Sequence, residues 1–214
     1  MTNHATFYDT IAADFDKLMN NYELEKRLRL VFEDLLPERL DGWLVLDGGS
    51  GTGWFTNRLA SRGAEVVAAD IGRALLQETA KKQTDALLTQ TSLVRLGFAS
   101  NTFDAVVSTE VIEHTPDPKS AVLELVRVLK PGGVLILTVP NRIWHISVSI
   151  ASVMGIRHYK GFENWVWRSQ LKRWLRESDA ILESMIGFNL FPLLYKPFYP
   201  ILDFADKLLF LQPL

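Results

Sequence analysis

Apolar residues along this chain follow two rhythms, which meet near residue 40. Before it, Leu24, Leu28, Val31, Phe32 and Leu35 recur at helical spacing until Pro37 interrupts them, so Phe7 to Leu36 is expected to form two helices. After it come short, continuous apolar runs: Trp43 to Asp47, Glu65 to Asp70, Ala86 to Gln90, Phe103 to Thr109 and Val134 to Val139. Helical patterns separate them, from about Gly53 to Arg62, Arg73 to Lys82 and Asp117 to Leu129. The last opens on Asp117-Pro118, where the carboxylate accepts orphan N–H groups and proline has no N–H to leave unsatisfied. Pro131-Gly132-Gly133 then ends the connection. Continuous apolar strands alternating with helices predict a mostly parallel sheet covered on both faces, a doubly wound α/β domain with N-terminal helices. Ligands of such sheets bind at the carboxyl ends of the strands, where the strand order reverses.

Composition narrows the function classes. At 214 residues with 48% hydrophobic positions, the chain is expected to bury a core as one domain without metals or disulfides, and it has no cysteine for a disulfide framework, a thiolate metal site or a sulfur nucleophile. No internal repeat, low-complexity tract or linker divides it. The net charge of −2 provides no broad electrostatic footprint for nucleic acid. Arg168, Lys172, Arg173 and Arg176 form the densest basic cluster, which reads as the solvated face of a helix rather than a binding stripe. With no basic and apolar leader at Met1 to Asp9 and no apolar run of membrane-spanning length, a cytoplasmic location is the default expectation.

The chemistry concentrates in Leu46-Asp47-Gly48-Gly49-Ser50-Gly51-Thr52-Gly53, at the end of the first strand, with Asp70 closing the second. Glycines here permit positive φ and let backbone N–H groups approach a ligand where a helix begins. The dinucleotide fingerprint G-x-G-x-x-G fails in both registers: counted from Gly49 and Gly51 its third glycine position holds Trp54, and counted from Gly51 and Gly53 it holds Thr56. Asp47 and Asp70 could alternatively serve only as caps of helix N-termini.

The turn matches D-x-G-x-G-x-G, and it resembles the first motif of the class I S-adenosylmethionine (SAM)-dependent methyltransferases. Tyr8-Asp9 and Phe15-Asp16 resemble the Y-D-x-x-A-x-x-Y-D opening of that superfamily, and Phe103 to Ser108 its fourth-strand motif. Glu110-Val111-Ile112-Glu113-His114 and Leu129-Lys130-Pro131-Gly132-Gly133 resemble segments of the ubiquinone-biosynthesis O-methyltransferase group and related small-molecule methyltransferases. The resemblance implies a Rossmann-like class I fold divided into a helical lid over residues 1–40, a cofactor-binding core over 41–140 and an acceptor-side region over 141–214. It implies SAM as cofactor, S-adenosylhomocysteine as product, and contacts from Tyr8, Asp47, Gly49, Ser50, Gly51, Gly53, Asp70, Ile71, Ser92, Leu93 and Glu110. Asp70 is placed to take both ribose hydroxyls, since a carboxylate offers two acceptor oxygens. One position departs from the pattern: Ser92 stands where the family carries an Asp that bonds the adenine amino group, and a neutral hydroxyl makes the weaker bond.

Methyl transfer needs near-attack positioning and, for a hydroxyl acceptor, a base. His145, following Val139-Pro140-Asn141 at the end of the fifth strand, is the first candidate, with His114 next and His158, Glu110 and Glu113 behind them. His145 also fits an ordinary surface position, and His114 a loop-orienting one. Glu110, Glu113 and His114 have the composition of a hard-metal site, but loop capping and SAM contact account for them without a metal. Aromatic and apolar residues across Ile143 to Trp167 and Gly187 to Leu214 suggest an aromatic, quinone-like or lipid-like small-molecule acceptor, with peripheral membrane contact as one expression of the same surface. The expected activity is O-methylation, with N-methylation as the nearest variant and SAM binding without methyl transfer, in a regulatory or partner-dependent protein, as the alternative. Near the chain end, Ala180 to Ile186 reads as the sixth strand and Ile201 to Phe210 as a helix. The sheet is therefore expected to be one strand short of the family's seven or to be completed unusually.

Overall fold

The computed structural model describes residues 4–82, 85–142, 145 and 163–187. Backbone contacts gather the chain into two compact units, Met1–Val139 with Gly161–Asn164, and Pro140–Lys160 with Trp165–Leu214.

The first unit begins with helix α1 (His4–Ile11), a 3-10 turn (Ala12–Asp14), a single helical turn α2 (Phe15–Leu18), and α3 (Asn21–Arg29). Helix α3 starts on Asn20, whose side chain accepts the Tyr22 N–H. It continues as a π-helical segment over Leu30–Leu35, ending in a bond from the Leu36 N–H to the Val31 carbonyl. Two helices were expected here; the chain breaks instead at the 3-10 turn Ala12–Asp14 and again at Met19, whose backbone is extended at ψ 144°, while the π-helical end of α3 buries Leu30, Val31 and Phe32.

The sheet follows as β1 (Leu44–Gly48), β2 (Glu65–Asp70), β3 (Leu87–Gln90), β4 (Phe103–Thr109) and β5 (Leu129–Thr138), in the spatial order β3-β2-β1-β4-β5. Every pairing is parallel. The connecting helices are α4 (Trp54–Ser61), α5 (Arg73–Lys81) and α6 (Pro118–Val128), the last capped by Asp117, which accepts the Ser120 N–H at 3.2 Å. This is the doubly wound α/β architecture. One face buries Val45, Val66, Ala105, Val107 and Ile136 against Leu24, Val31, Phe32, Phe55 and Leu59, while α6 buries Ala121, Val122, Leu125 and Val128. The order reverses between β1 and β4, so the crevice that such sheets use for ligands opens beside the turns after these two strands.

Strand β5 starts earlier than the sequence suggests. Leu129 already pairs with Phe103, and the register then jumps to Ala105 with Val134, so Lys130 to Gly133 form a bulge rather than a connection. Gly132, at φ +78°, supplies the backbone geometry, and the Lys130 ammonium lies 2.8 Å from Asp104.

In the second unit, α7 (Arg168–Glu177) buries Leu171, Trp174 and Leu175. Arg168, Arg173 and Arg176 face solvent, as a solvated face requires. The expected sixth strand at Ala180 to Ile186 is not formed. Asp179, at φ +58°, follows α7, the Ala180 N–H folds back to the Leu175 carbonyl, and Ile181 is 89% exposed, so the segment joins neither a ladder nor a core among the described residues. His158, the aromatic residues from Phe188 onward and the expected helix Ile201 to Phe210 lie outside the described residues. No helix among the described residues is long and apolar enough to cross a membrane.

Candidate cofactor site

The turn after β1 is shaped by its glycines. Gly49, Gly51 and Gly53 all adopt positive φ, at +81°, +55° and +85°. A Cβ on Gly49 would stand 2.3 Å from a methyl of Val111 in the loop after β4, so the two turns flanking the crevice meet where only glycine fits. A Cβ on Gly51 would meet nothing nearer than the Phe15 ring at 3.7 Å, which leaves room over the backbone. The Gly49 and Ser50 N–H groups donate to the Ala69 carbonyl at 2.7 and 3.1 Å, and the Thr79 hydroxyl donates to the Gly51 carbonyl at 3.0 Å. The Ser50 hydroxyl, by contrast, is buried with no partner among the described residues.

Asp47 and Asp70 are both buried, at 3% and 7% exposure, and neither caps a helix in the ordinary way. Asp47 accepts the Thr56 hydroxyl at 2.5 Å, inside α4. Burial, reinforced by the neighbouring Asp70 charge, pushes its carboxyl up to about 7. Asp70 accepts the Gly51 N–H at 2.9 Å on one oxygen and the Gly72 N–H at 2.8 Å on the other, so a single carboxylate ties the glycine turn to the turn after β2. Burial raises its pKa as well, against the bonds from these N–H groups. The cap of α5 comes from far away in the chain, from Asp9, which accepts the Ala74 N–H at 2.8 Å.

The carboxyl ends of β2 and β3 bring Ile71, Ser92 and Leu93 to the same edge. The Gln90 side chain donates to the Ile71 carbonyl at 3.0 Å, the Thr91 N–H to the Asp70 carbonyl at 2.9 Å, and Ser92 forms a short antiparallel bridge with Arg95. Leu93 is buried under Gly48.

The loop after β4 is electrostatically different. Glu110 sits at φ +55°, accepts the Thr138 hydroxyl at 2.9 Å and lies 3.9 Å from the Arg27 guanidinium. Glu113 is 2% exposed; its Oε2 and the Arg27 Nε are buried without partners among the described residues. Burial first, then the charge of Glu110, drives the Glu113 carboxyl well above the ordinary carboxylate range. His114 stands 3.9 Å from Glu113 and meets the Tyr8 ring edge-on at 6.2 Å, while the Asn164 backbone and side chain clamp the Glu113 and Thr115 carbonyls. Among the described residues, no three His, Asp or Glu side chains come together as a metal-ion group. His145 belongs to the second unit, where it is exposed and packs edge-on against Trp165 at 5.2 Å.

The crevice edge thus brings together Asp47, Gly49, Ser50, Gly51, Gly53, Asp70 and Ile71. Asp9 and Asp16 were visible only as parts of a motif; that they bond the structure following β2 and the glycine turn after β1 was not, because each reaches a partner 36 or more positions away.

A family profile described as "Methyltransferase domain" matches residues 46–137. The chain is similar to a ubiquinone biosynthesis O-methyltransferase of Alkalilimnicola ehrlichii, at 34% identity over 90% of this chain and 86% of that protein. It is also similar to one of Hahella chejuensis, at 32% identity over 75% and 73%. Among solved structures, a methyltransferase in complex with the Trm112 activator of Haloferax volcanii superposes with a TM-score of 0.67 at 20% identity, over 90% of this chain and 85% of that one.

Proposed function

From the premise that the chain belongs to the class I SAM-dependent methyltransferases, we propose that it moves the methyl group of SAM to a hydroxyl oxygen of a small aromatic, quinone-like or lipid-like acceptor. The observation that carries the cofactor reading is the cradle itself: Gly51 stands open at φ +55°, Asp70 is fixed beside it, and the buried Ser50 hydroxyl has no partner among the described residues. These residues suit a cationic cofactor bearing vicinal hydroxyls better than a pyrophosphate, which would meet two carboxylates. SAM supplies a methyl group already activated by the sulfonium charge.

In this reading, the lone pairs of Asp70 left over from Gly51 and Gly72 accept the ribose hydroxyls, and Ser50 donates to the cofactor. Ser92 and the Leu93 backbone face its adenine edge, and Tyr8 and Glu110 border its amino-acid end. His145, or His114, takes the acceptor's proton. Oxygen as the receiving atom rests on the activity named for the relatives.

The test is incubation with methyl-labelled SAM and quinol or catechol acceptors, with products separated by chromatography. Label on an O-methyl ether is the expected result. Tight SAM binding with no label transferred would instead favour a SAM-binding protein without its own transfer step. Label on nitrogen would leave the family intact and correct the acceptor atom.

A further inference from the structure

The N-terminal segment is bonded to both cofactor turns through two carboxylates. Asp9 caps α5 at Ala74, and Asp16 gathers three donors at once: the Thr52 hydroxyl, the Trp54 indole N–H at 3.1 Å and the Lys82 ammonium at 3.1 Å. Thr52 lies between Gly51 and Gly53, so Asp16 grips the glycine turn itself. Lys82 also sits 4.5 Å over the Trp54 ring, which joins the three donors into one cluster. Next to each acid the segment lies over the turns: Phe15 is the residue nearest the open side of Gly51, and the Tyr8 Cβ is 3.3 Å from where a Cβ on Gly72 would be. Burial opposes the charge on Asp16, yet the bonds from Thr52, Lys82 and Trp54 hold its carboxyl below the ordinary carboxylate range, so it is ionised whenever the protein is folded near neutral pH.

We infer that Asp16 is the latch of a cover formed by residues 8–18, and that breaking its bonds to Thr52, Trp54 and Lys82 is the step that admits and releases the cofactor. This rests on the SAM-binding reading above. Phe15 and Tyr8 lie over the outer side of Gly51 and Gly72, at 3.7 and 3.3 Å from where a Cβ on each would stand, so a ligand that enters from this side passes the segment. The bonds opposing that movement meet on a single carboxylate at one end of the segment and on Asp9 at the other. The latch is only partly screened from water, since Asp16 and Lys82 expose 40% and 25% of their side chains, and it should therefore loosen as salt rises. Asp16 is a positioning residue: it holds the cover and the turn, and touches no reacting atom.

The deciding comparison is wild type against Asp16→Asn and Lys82→Met. Hydrogen exchange is followed without ligand, and dissociation of S-adenosylhomocysteine is followed by stopped flow. In Asp16→Asn, amides of residues 8–18 should exchange at least tenfold faster while β1, β2 and β4 keep their protection, and the dissociation rate constant should rise at least tenfold with a smaller change in the association rate constant. Lys82→Met should shift both in the same direction by a few fold. Raising salt from 50 to 500 mM should speed wild-type release and leave Asp16→Asn nearly unchanged. Wild-type exchange over residues 8–18 together with wild-type release in Asp16→Asn would overturn the latch while leaving the SAM site standing. A wild-type protein that binds no SAM or S-adenosylhomocysteine would overturn the cofactor reading, and the exchange data alone would then decide whether Asp16 holds the segment.

Discussion

The two turns that flank the crevice bury acids in opposite ways. At the ends of β1 and β2, Asp47 and Asp70 are covered, but each oxygen that forms a bond does so with the Thr56 hydroxyl of α4 or with the Gly51 and Gly72 N–H groups of the turns. After β4, Glu113 is as deeply covered, yet its Oε2 and the neighbouring Arg27 Nε find no partner among the described residues, and a second carboxylate, Glu110, stands close. A buried carboxylate bonded to backbone N–H groups acts as a structural tie, whereas one left short of donors favours its protonated form. Burial raises the carboxyls on both sides, and the difference lies in the donors: Asp70 ties two backbone N–H groups and Asp47 the Thr56 hydroxyl, whereas Glu113 Oε2 has no donor among the described residues and is the one a proton suits best. The two turns meet at Gly49 and Val111, so shape at one constrains the other.

The largest way to break this arrangement is at that contact. Gly49→Val places a β-branched side chain at φ +81° and drives its Cβ to 2.3 Å from Val111. Overpacking and the left-handed backbone together should cost about 3 kcal/mol or more. Urea unfolding would measure it, and a variant as stable as wild type would mean that the two turns are not locked together.

Next in size is the pH response of the cradle. The Asp47 carboxyl titrates at about 7 in the folded chain, against about 3.9 when unfolded. Because the folded pKa is the higher one, the folded state holds the proton more tightly. The stabilisation is full below about pH 4 and is lost as the pH rises to about 7, at no more than about 1.4 kcal/mol per pH unit. Asp47→Asn keeps an acceptor for Thr56 and removes this slope. The difference in unfolding free energy between variant and wild type should move in the variant's favour between pH 4 and 7 and stay level above. Asp70 and Glu113, shifted in the same direction, contribute to both proteins and largely cancel. A difference independent of pH over that window would show that Asp47 titrates normally.

Asp70→Ala tests the tie itself. It removes the acceptor for the Gly51 and Gly72 N–H groups, at a cost of about 1–3 kcal/mol in stability. SAM affinity should fall more than tenfold by calorimetry if Asp70 is the ribose acceptor proposed above. Lost stability with unchanged affinity would confine Asp70 to the structural role.

What the sequence disclosed divides along the same physical line. Strands β1 to β4, the Asp117 cap and the glycine turn are written locally, in apolar runs, a cap-plus-proline pair and residues that need positive φ, and they could be read from neighbouring positions. The bonds of Asp9 to Ala74 and Asp16 to Thr52 span 65 and 36 positions and leave no periodic trace. Pro131-Gly132-Gly133 resembles a turn in isolation, and only pairing with β4 makes it a bulge. Ala180 to Ile186 has strand-like composition, but a strand needs a partner, and the backbone leaves α7 through Asp179 without meeting one among the described residues. The burial of Glu113 was likewise hidden, since an acid after an apolar strand looks the same whether its loop faces water or is clamped by Asn164.

The smallest expected effect sharpens the comparison most. Ser50→Ala removes a hydroxyl that is buried in the cradle and bonded to no described residue. If it has no partner in the free protein, its loss relieves a desolvated polar group, and stability should stay level or rise by less than about 1 kcal/mol. If its partner is the cofactor, affinity for SAM should still fall by a few fold, a hydrogen bond being worth about 0.5–1.5 kcal/mol net. Thermal melts without and with SAM would read both: an unchanged apo midpoint with a smaller ligand-induced rise is the expected pair. A fall of several degrees in the apo midpoint would mean that the protein itself uses this hydroxyl, and the cradle would then be as fully satisfied by its own chain as any other turn of the sheet. The contrast with Glu113 would then be complete, the unmet buried side-chain atoms among the described residues being Glu113 Oε2 and the Nε of Arg27, which lies beside Glu110.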